Sequence, residues 1–245
     1  MRSFESRDTA RRWIGLYAGK DGGRPPRGRW ALFQRYAEKR ARDRLDLCTG
    51  LIESYRSKKV LDVACGGGQY GKAVLEGGGE WVGFDLSHTM VRWAKDSLAR
   101  PGARVAVIRG DIQDLPFAKS SFDVIFCVGI LSYFPDEMVS SILSQLSGLL
   151  RQGGVLIVQT IRLDVLTWMR SRLPSWVPQP IRLPGPLYPR KASFIHQKIA
   201  GTRLRQKKTV GVKKYCVMPF QTVYCLEAVG GERNLRGGLN SRSRF

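Results

Sequence analysis

The chain has 245 residues, a mass of 27.5 kDa, 43% hydrophobic residues and a formal net charge of +21. This length suits one α/β domain with appendages, and the ordinary hydrophobic content excludes global disorder. Five cysteines without a C-x-x-C pair argue against a disulfide framework or a structural zinc site, and no segment has the roughly 18 uncharged apolar residues of a spanning helix.

The first 46 residues form a basic N-terminal extension. Breaker-rich sequence over residues 19–28 predicts a loop, and apolar residues over 30–55 recur at helical spacing opposite a basic face. The start of the chain lacks the apolar core of a signal peptide, so we expect a reducing, cytoplasmic setting. One domain is predicted over 47–228, and the glycine- and arginine-rich tail 229–245 is predicted to be disordered.

A strand, a glycine turn, a helix and a second strand organise the centre of the chain. The apolar run Val60–Ala64 predicts a buried strand, and Gly66–Gly71 fits the pattern Gly-x-Gly-x-x-Gly. Asp62, near the exit of this strand, would repel a pyrophosphate and favours a cationic ligand. Asp85 ends the second strand, where an acceptor for a ribose diol belongs.

Helices and strands alternate through the rest of the domain. The pattern predicts helices at 72–76, 88–99, 137–150 and 192–200, and strands at 81–84, 104–109, 122–128, 155–160, 204–212 and 221–227. Dense prolines between residues 161 and 190 exclude a long helix there. The alternation predicts an α/β fold with a doubly wound parallel sheet, which binds ligands at the carboxyl ends of its strands.

Five motifs in this order resemble those of the class I S-adenosylmethionine-dependent methyltransferases, in particular the small-molecule enzymes of the methyltransferase type 11 kind. They are Val60-Leu-Asp-Val-Ala-Cys-Gly-Gly-Gly, Val82-Gly-Phe-Asp-Leu-Ser, Gly110-Asp-Ile-Gln-Asp-Leu-Pro-Phe, Ser121-Phe-Asp-Val-Ile-Phe-Cys-Val-Gly-Ile-Leu-Ser-Tyr and Leu150-Arg-Gln-Gly-Gly-Val-Leu. The resemblance covers residues 47–161. It implies a Rossmann-like seven-stranded sheet, parallel except for one antiparallel strand in a C-terminal hairpin, an N-terminal helical cap, and a variable substrate cap at 161–190.

The resemblance also implies that S-adenosyl-L-methionine is the cofactor. Asp85 would hold the ribose, Met90 would cover the adenine, Asp111 would accept a hydrogen bond from the adenine amino group, and the Ile112 amide would meet a ring nitrogen. As alternatives, Met90 is a core methionine and Asp111 caps a turn. The predicted cofactor-binding residues are Asp62, Ala64, Cys65, Gly66, Gly68, Asp85, Leu86, Met90, Asp111, Ile112 and Cys127.

Ala64 stands where the family turn usually has its first glycine. An alanine is tolerated there if its φ is negative, because only a positive φ disfavours a Cβ atom.

Methyl transfer from a sulfonium is an in-line displacement that depends mainly on alignment and exclusion of water, so a catalytic triad is not required. Tyr133, just beyond the fourth strand, is the candidate substrate-facing residue, with a core tyrosine as the alternative. The Asn-Pro-Pro-Tyr and Asp-Pro-Pro-Tyr motifs of amino-methylating enzymes do not follow that strand. A small-molecule or lipid-like acceptor is therefore predicted, and no metal-binding pattern is visible.

The basic flanks leave a second class of function open. Net charge is +9 over residues 1–59, −2 over 60–160 and +14 over 161–245. Such a split favours contact with an anionic substrate, a membrane surface or nucleic acid, although solubility explains it equally well. The alternative function is therefore RNA binding or RNA methylation. A nicotinamide-dependent oxidoreductase is disfavoured by Asp62, and the sequence makes no prediction of acceptor atom or oligomeric state.

Overall fold

A computed structural model describes residues 47–48, 50–51, 58–161, 188–191, 193–211 and 221–230. The predicted N-terminal extension, most of the predicted substrate cap and most of the predicted tail lie outside these residues. The domain boundaries proposed from the sequence therefore stay predictions.

The described residues contain seven strands and four complete α-helices in the predicted order, and residues 47–48 and 50–51 are also helical. The strands are β1 (Lys59–Val63), β2 (Glu80–Asp85), β3 (Val105–Arg109), β4 (Phe122–Cys127), β5 (Leu150–Ile161), β6 (Leu204–Gly211) and β7 (Gln221–Ala228). The helices are α1 (Gly71–Glu76), α2 (His88–Leu98), α3 (Asp136–Leu149) and α4 (Phe194–Ile199), and a 3₁₀-helix spans Leu131–Tyr133. None of the described helices is both long and apolar enough to cross a membrane.

All seven strands form one sheet in the order β3-β2-β1-β4-β5-β7-β6. Strands β1 to β5 pair in parallel, and β7 runs antiparallel to both β5 and β6. The predicted doubly wound sheet with an antiparallel C-terminal hairpin is thus confirmed. The strand order reverses at β1, because the chain moves outward to β3 and then returns to β4. A crevice forms at such a switch point, beyond the carboxyl ends of the strands.

Apolar side chains cover both faces of the sheet. On one face, Trp81 and Phe126 pack with residues of α1 and α2, and on the other, Ile125 and Leu156 pack with residues of α3 and α4. All four side chains are fully buried. Coverage on both faces explains why the central strands are almost continuously apolar.

Strand β5 begins earlier than the pattern predicts. Leu150 already pairs with Phe122, and regular pairing resumes only where Val155 meets Val124. The intervening residues bulge through Gly153, whose φ is +73°, as a glycine at a bulge allows. Because the bulge is polar, apolar periodicity does not reveal where the strand starts.

Arg203, the residue before β6, caps the C-terminal end of α3. Its Nε and Nη2 atoms donate to the Ser147 carbonyl at 3.0 and 2.8 Å, and Nη2 also donates to the Leu150 carbonyl. A cation at this position satisfies carbonyls that have no partner within the helix and interacts favourably with the helix dipole.

Candidate cofactor and acceptor site

The predicted cofactor-binding residues gather at the carboxyl ends of four neighbouring strands. Asp62 lies near the end of β1, and Ala64, Cys65, Gly66 and Gly68 form the turn after it; Asp85 and Leu86 end β2, Met90 lies in the first turn of α2, Asp111 and Ile112 follow β3, and Cys127 ends β4. The parallel register of β1 to β4 thus brings these separate segments to one edge of the sheet.

Asp85 joins the glycine turn to the second strand. Its Oδ2 accepts a hydrogen bond from the Gly66 amide at 2.9 Å, and its Oδ1 accepts one from the Ser87 amide at 2.9 Å. Burial raises the pKa of Asp85, and these amides partly oppose that rise. Each carboxylate oxygen can still accept a further hydrogen bond, so the group is held rigidly and retains capacity for a diol.

Ala64 begins the turn in a left-handed conformation with a φ of +59°. The condition under which alanine would be tolerated without strain, a negative φ, is therefore not met. The turn geometry is imposed by the Phe84 carbonyl, which accepts hydrogen bonds from the Ala64 and Cys65 amides at 2.8 and 3.2 Å. Two consecutive amides directed at one oxygen oblige the chain to turn sharply here.

Two glycines of the turn serve different purposes. A Cβ atom added to Gly66 would meet nothing within 4 Å, so the backbone there borders open space. A Cβ atom at Gly68 would lie 2.9 Å from Leu98 Cδ1 and 3.2 Å from Ala94 Cβ. Gly68 therefore lets the turn pack against α2, whereas Gly66 leaves room for a ligand to approach the main chain.

Asp62 lies on the face of β1 that packs against α1 and α2, and it is only 1% exposed. Its Oδ2 atom and the Nε1 atom of Trp81 have no hydrogen-bond partner among the described residues. Burial raises the pKa of Asp62 to about 8; the Trp81 indole lowers it without reaching hydrogen-bond geometry, and the charge of Asp85 raises it further. A buried carboxyl without a partner fits a cationic group bound nearby.

The two cysteines of the site are neutral thiols. Burial raises the pKa of Cys65 above its usual range, and the nearby charges of Asp62 and Asp85 add to that effect. Burial and the charge of Asp62 also raise the pKa of Cys127, whose side chain packs into the core on the α3 side. Neither residue is therefore suited to act as a thiolate nucleophile.

The residues predicted to contact the adenine, Met90, Asp111 and Ile112, make contacts within the protein. Asp111 Oδ1 accepts a hydrogen bond from the Gln113 amide at 3.0 Å, so this aspartate does cap its turn. The Met90 side chain is 5% exposed and Ile112 is 8% exposed, so both pack mainly against protein. Their cofactor contacts stay predictions.

A second group of polar residues lies beyond β4 and near the carboxyl end of β5. Tyr133 is 9% exposed within the 3₁₀-helix. Gln159 is 2% exposed, and its Oε1 atom has no hydrogen-bond partner among the described residues. Val158 pairs with Cys127, so Gln159 lies level with the residue that follows β4. The sequence interpretation overlooked Gln159, although a glutamine near the carboxyl end of an apolar strand was an available signal.

Within the described residues, no group of three histidine, cysteine, aspartate or glutamate side chains is arranged to hold a metal ion.

Residues 60–154 match a family model described as a methyltransferase domain. A ubiquinone biosynthesis O-methyltransferase from Idiomarina loihiensis is 29% identical over 140 residues, covering 53% of this chain and 57% of the relative. The enzyme of the same name from Haemophilus ducreyi is 30% identical over 117 residues, covering 46% and 49%. The chain thus spans about half the length of these curated relatives.

Solved structures agree on the fold. The magnesium protoporphyrin IX methyltransferase from Synechocystis PCC 6803, crystallised with bound SAH, aligns with a TM-score of 0.68 at 18% identity, covering 89% of this chain and 93% of that one. The PH0226 protein from Pyrococcus horikoshii OT3 aligns with a TM-score of 0.62 at 19% identity, covering 77% and 91%. Residues 60–154 are therefore a methyltransferase domain, and the described residues have the Rossmann-like fold of the S-adenosylmethionine-dependent methyltransferases.

Proposed function

We propose that this chain binds S-adenosyl-L-methionine at the glycine turn and transfers its methyl group to a hydroxyl of an apolar small-molecule or lipid-like acceptor. The observation that carries the proposal is the Asp85 carboxylate, held by two main-chain amides beside the turn. The O-methyltransferase names of the curated relatives support a hydroxyl oxygen as the acceptor atom.

The residues at the switch point fit this cofactor. Asp85 would accept hydrogen bonds from the ribose hydroxyls, because both of its oxygens retain acceptor capacity. The main chain at Gly66 borders open space, and the Oδ2 atom of the buried Asp62 lacks a partner among the described residues. When bound, the cofactor supplies an electrophilic methyl group on a cationic sulfur. A nearby positive charge would favour the ionised form of Asp62 and so lower its raised pKa.

Tyr133 and Gln159 are the proposed acceptor-side residues. A hydroxyl entering beside β5 could donate to the Gln159 Oε1 atom, which lacks a hydrogen-bond partner among the described residues, and so turn a lone pair toward the methyl group. As the new O–C bond forms, the S–C bond breaks and S-adenosylhomocysteine leaves, and the hydroxyl proton passes to solvent because an amide oxygen is not a base. The histidines do not fit this role, since His88 and His196 are exposed on α2 and α4, and α4 packs against α3. Alignment and exclusion of water would then supply most of the rate acceleration.

Calorimetry with S-adenosylhomocysteine tests cofactor binding. Asp85→Ala should weaken binding at least tenfold, because hydrogen bonds to charged groups contribute about 1.5–3 kcal/mol each. Asp123→Ala is the matched control, since Asp123 also accepts a main-chain amide, from Lys59 at 2.8 Å, but lies at the amino end of β4. Absence of binding by wild type, or equal affinity for both variants, would refute the proposal.

An assay with catechol and an alkylated catechol as acceptors tests methyl transfer. Wild type should release S-adenosylhomocysteine only when an acceptor is present. Gln159→Leu should lower kcat/KM about tenfold, a loss equal to one hydrogen bond, while its stability is unchanged or higher because a buried carbonyl oxygen without a partner is removed. Turnover that is insensitive to Gln159→Leu would remove this residue from the acceptor site.

A further inference from the structure

A buried guanidinium holds together the segments that border the proposed acceptor side. The Arg190 side chain is 3% exposed, and Arg190 lies two residues after Tyr188. Its Nη1 donates to the carbonyls of Leu131 at 2.9 Å and Tyr188 at 3.2 Å, its Nη2 donates to the Phe134 carbonyl, and its Nε donates to Asp136 Oδ1 at 3.3 Å. Two of the three carbonyls flank Tyr133.

Main-chain hydrogen bonds extend this attachment to β5. The Arg190 amide donates to the Ile161 carbonyl at 2.9 Å, and the Tyr188 amide donates to the Ser132 carbonyl at 2.7 Å. The Ser132 hydroxyl in turn accepts from the Ile161 amide at 3.0 Å. Ile161, at the end of β5, and Tyr188 are therefore both hydrogen-bonded to the 3₁₀-helix.

The chemistry of this cluster is specific to arginine. Burial lowers the pKa of Arg190 and the charge of Asp136 opposes that effect, while the Phe194 ring lies 4.5 Å from the guanidinium carbon. A guanidinium has five donors in a fixed planar fork and can reach all four of these acceptors, whereas a lysine ammonium has only three donors on one atom. The cluster therefore requires the shape of arginine as well as its charge.

We propose that Arg190 is a positioning residue for methyl transfer: it holds the 3₁₀-helix, and with it Tyr133, in register with Ile161 at the end of β5 and with Tyr188. This inference rests on the proposed function for its catalytic consequence. It places the effect of Arg190 on the acceptor and not on the cofactor, because none of its hydrogen bonds reaches the glycine turn or Asp85.

The test compares Arg190→Met and Arg190→Lys with Arg203→Met in the full chain. Arg203 is the matched control, since its guanidinium also binds main-chain carbonyls but at the end of α3. Hydrogen exchange at the Ile161 and Tyr188 amides should accelerate at least tenfold in both Arg190 variants and stay unchanged in Arg203→Met. Affinity for S-adenosylhomocysteine should stay within twofold of wild type in all three proteins.

Kinetics with the alkylated catechol supply a second readout. Arg190→Lys should raise the KM for the acceptor at least fivefold while the KM for the cofactor is unchanged, and Arg203→Met should change neither. If Arg190→Met does not fold, Ser132→Ala removes only the bond to the Ile161 amide and should accelerate exchange there. Equal exchange in the Arg190 and Arg203 variants, or a parallel loss of cofactor affinity, would overturn the inference.

Failure of the proposed function is recognised separately. A wild-type chain that does not bind S-adenosylhomocysteine refutes that function. The hydrogen-exchange comparison still decides whether Arg190 stabilises the main chain at Ile161 and Tyr188.

Discussion

Ala64 shows how a single residue carries backbone strain at the glycine turn. Its φ of +59° places a Cβ atom in the left-handed region, where ordinary residues are disfavoured by about 1–2 kcal/mol. Ala64→Gly should therefore raise the free energy of unfolding by about 0.5–1 kcal/mol, after the greater entropy of glycine in the unfolded chain is subtracted. Urea titration measures this difference.

Ser120 supplies the comparison for that prediction. Its φ is +53°, and its amide donates to the Gly148 carbonyl, near the amino end of β4 and away from the candidate site. Ser120→Gly should stabilise the chain by a similar amount. A lower stability of Ala64→Gly than of wild type would show that contacts of the alanine methyl outweigh the strain.

Asp62 makes stability depend on pH in a defined direction. The unfolded chain loses the Asp62 proton near the ordinary pKa of 3.8, whereas the folded chain keeps it until about pH 8. The folded state thus binds more protons between these values, and the free energy of unfolding should fall as pH rises through that window. Asp62→Asn should lack this contribution.

Urea titrations at several pH values test this sign. The stability advantage of Asp62→Asn should grow from near zero at about pH 4 to the order of a few kcal/mol at about pH 8. Parallel profiles for the two proteins over this range would contradict the raised pKa.

At the scale of elements, β2 supports the glycine turn through Gly83, a residue without a side chain. A Cβ atom at Gly83 would lie 2.3 Å from Trp81 Cη2 and 2.9 Å from Cys65 Sγ. The buried indole thus occupies the space over Gly83, close to both Asp62 and the turn. Any other residue at position 83 would place its Cβ atom against the Trp81 ring and displace it.

Gly83→Ala should therefore lower the free energy of unfolding by about 1–3 kcal/mol, as expected when a well-packed core is overfilled. It should also weaken binding of S-adenosylhomocysteine, because the displaced indole presses on the turn. Gly148→Ala is the control: a Cβ atom there meets nothing within 4 Å in helix α3, and alanine favours helix. Equal stability of the two variants would contradict this account of packing.

Most elements were predictable because their periodicity reflects coverage by neighbours. Central strands that are covered on both faces are almost continuously apolar, and the bounds of β1, β2 and β4 follow from that pattern to within a residue or two. The start of β5 was not predictable, since its pairing at Leu150 is separated from the apolar run by a polar bulge. The 3₁₀-helix at Leu131–Tyr133 was likewise missed, because its stability depends on Arg190 and Ser132.

At the scale of the whole molecule, charge separates the cofactor side from the flanks. Residues 58–161 contain equal numbers of basic and acidic side chains. Arg205, Lys207 and Lys208 are exposed on β6, an edge strand with a register shift between Gln206 and Lys208. Lysines and a bulge at a sheet edge also hinder unwanted strand pairing, so this part of the positive charge has a structural explanation.

The nucleic-acid alternative depends on flanks that lie mainly outside the described residues, and it stays a prediction. If Lys and Arg of the flanks neutralise RNA phosphates, log affinity should fall linearly with log salt, with a slope of about −0.7 for each phosphate on a single strand. Titration of a fluorescent RNA between low and physiological salt measures that slope. A flat dependence, or negligible binding near physiological salt, would remove this alternative.

The sequence by itself determined the order of elements, the sheet class and the glycine turn with Asp62 and Asp85, because local periodicity and short motifs encode them. The tertiary structure alone decided the left-handed φ of Ala64, the unpaired Oε1 atom of Gln159 and the contacts of Arg190. Each of these depends on groups far apart in the chain: the Phe84 carbonyl orients the turn 20 residues before it, and Arg190 meets the Leu131 carbonyl across 59 residues. Contacts of that range leave no periodic signal in the sequence, since only folding brings the partners together.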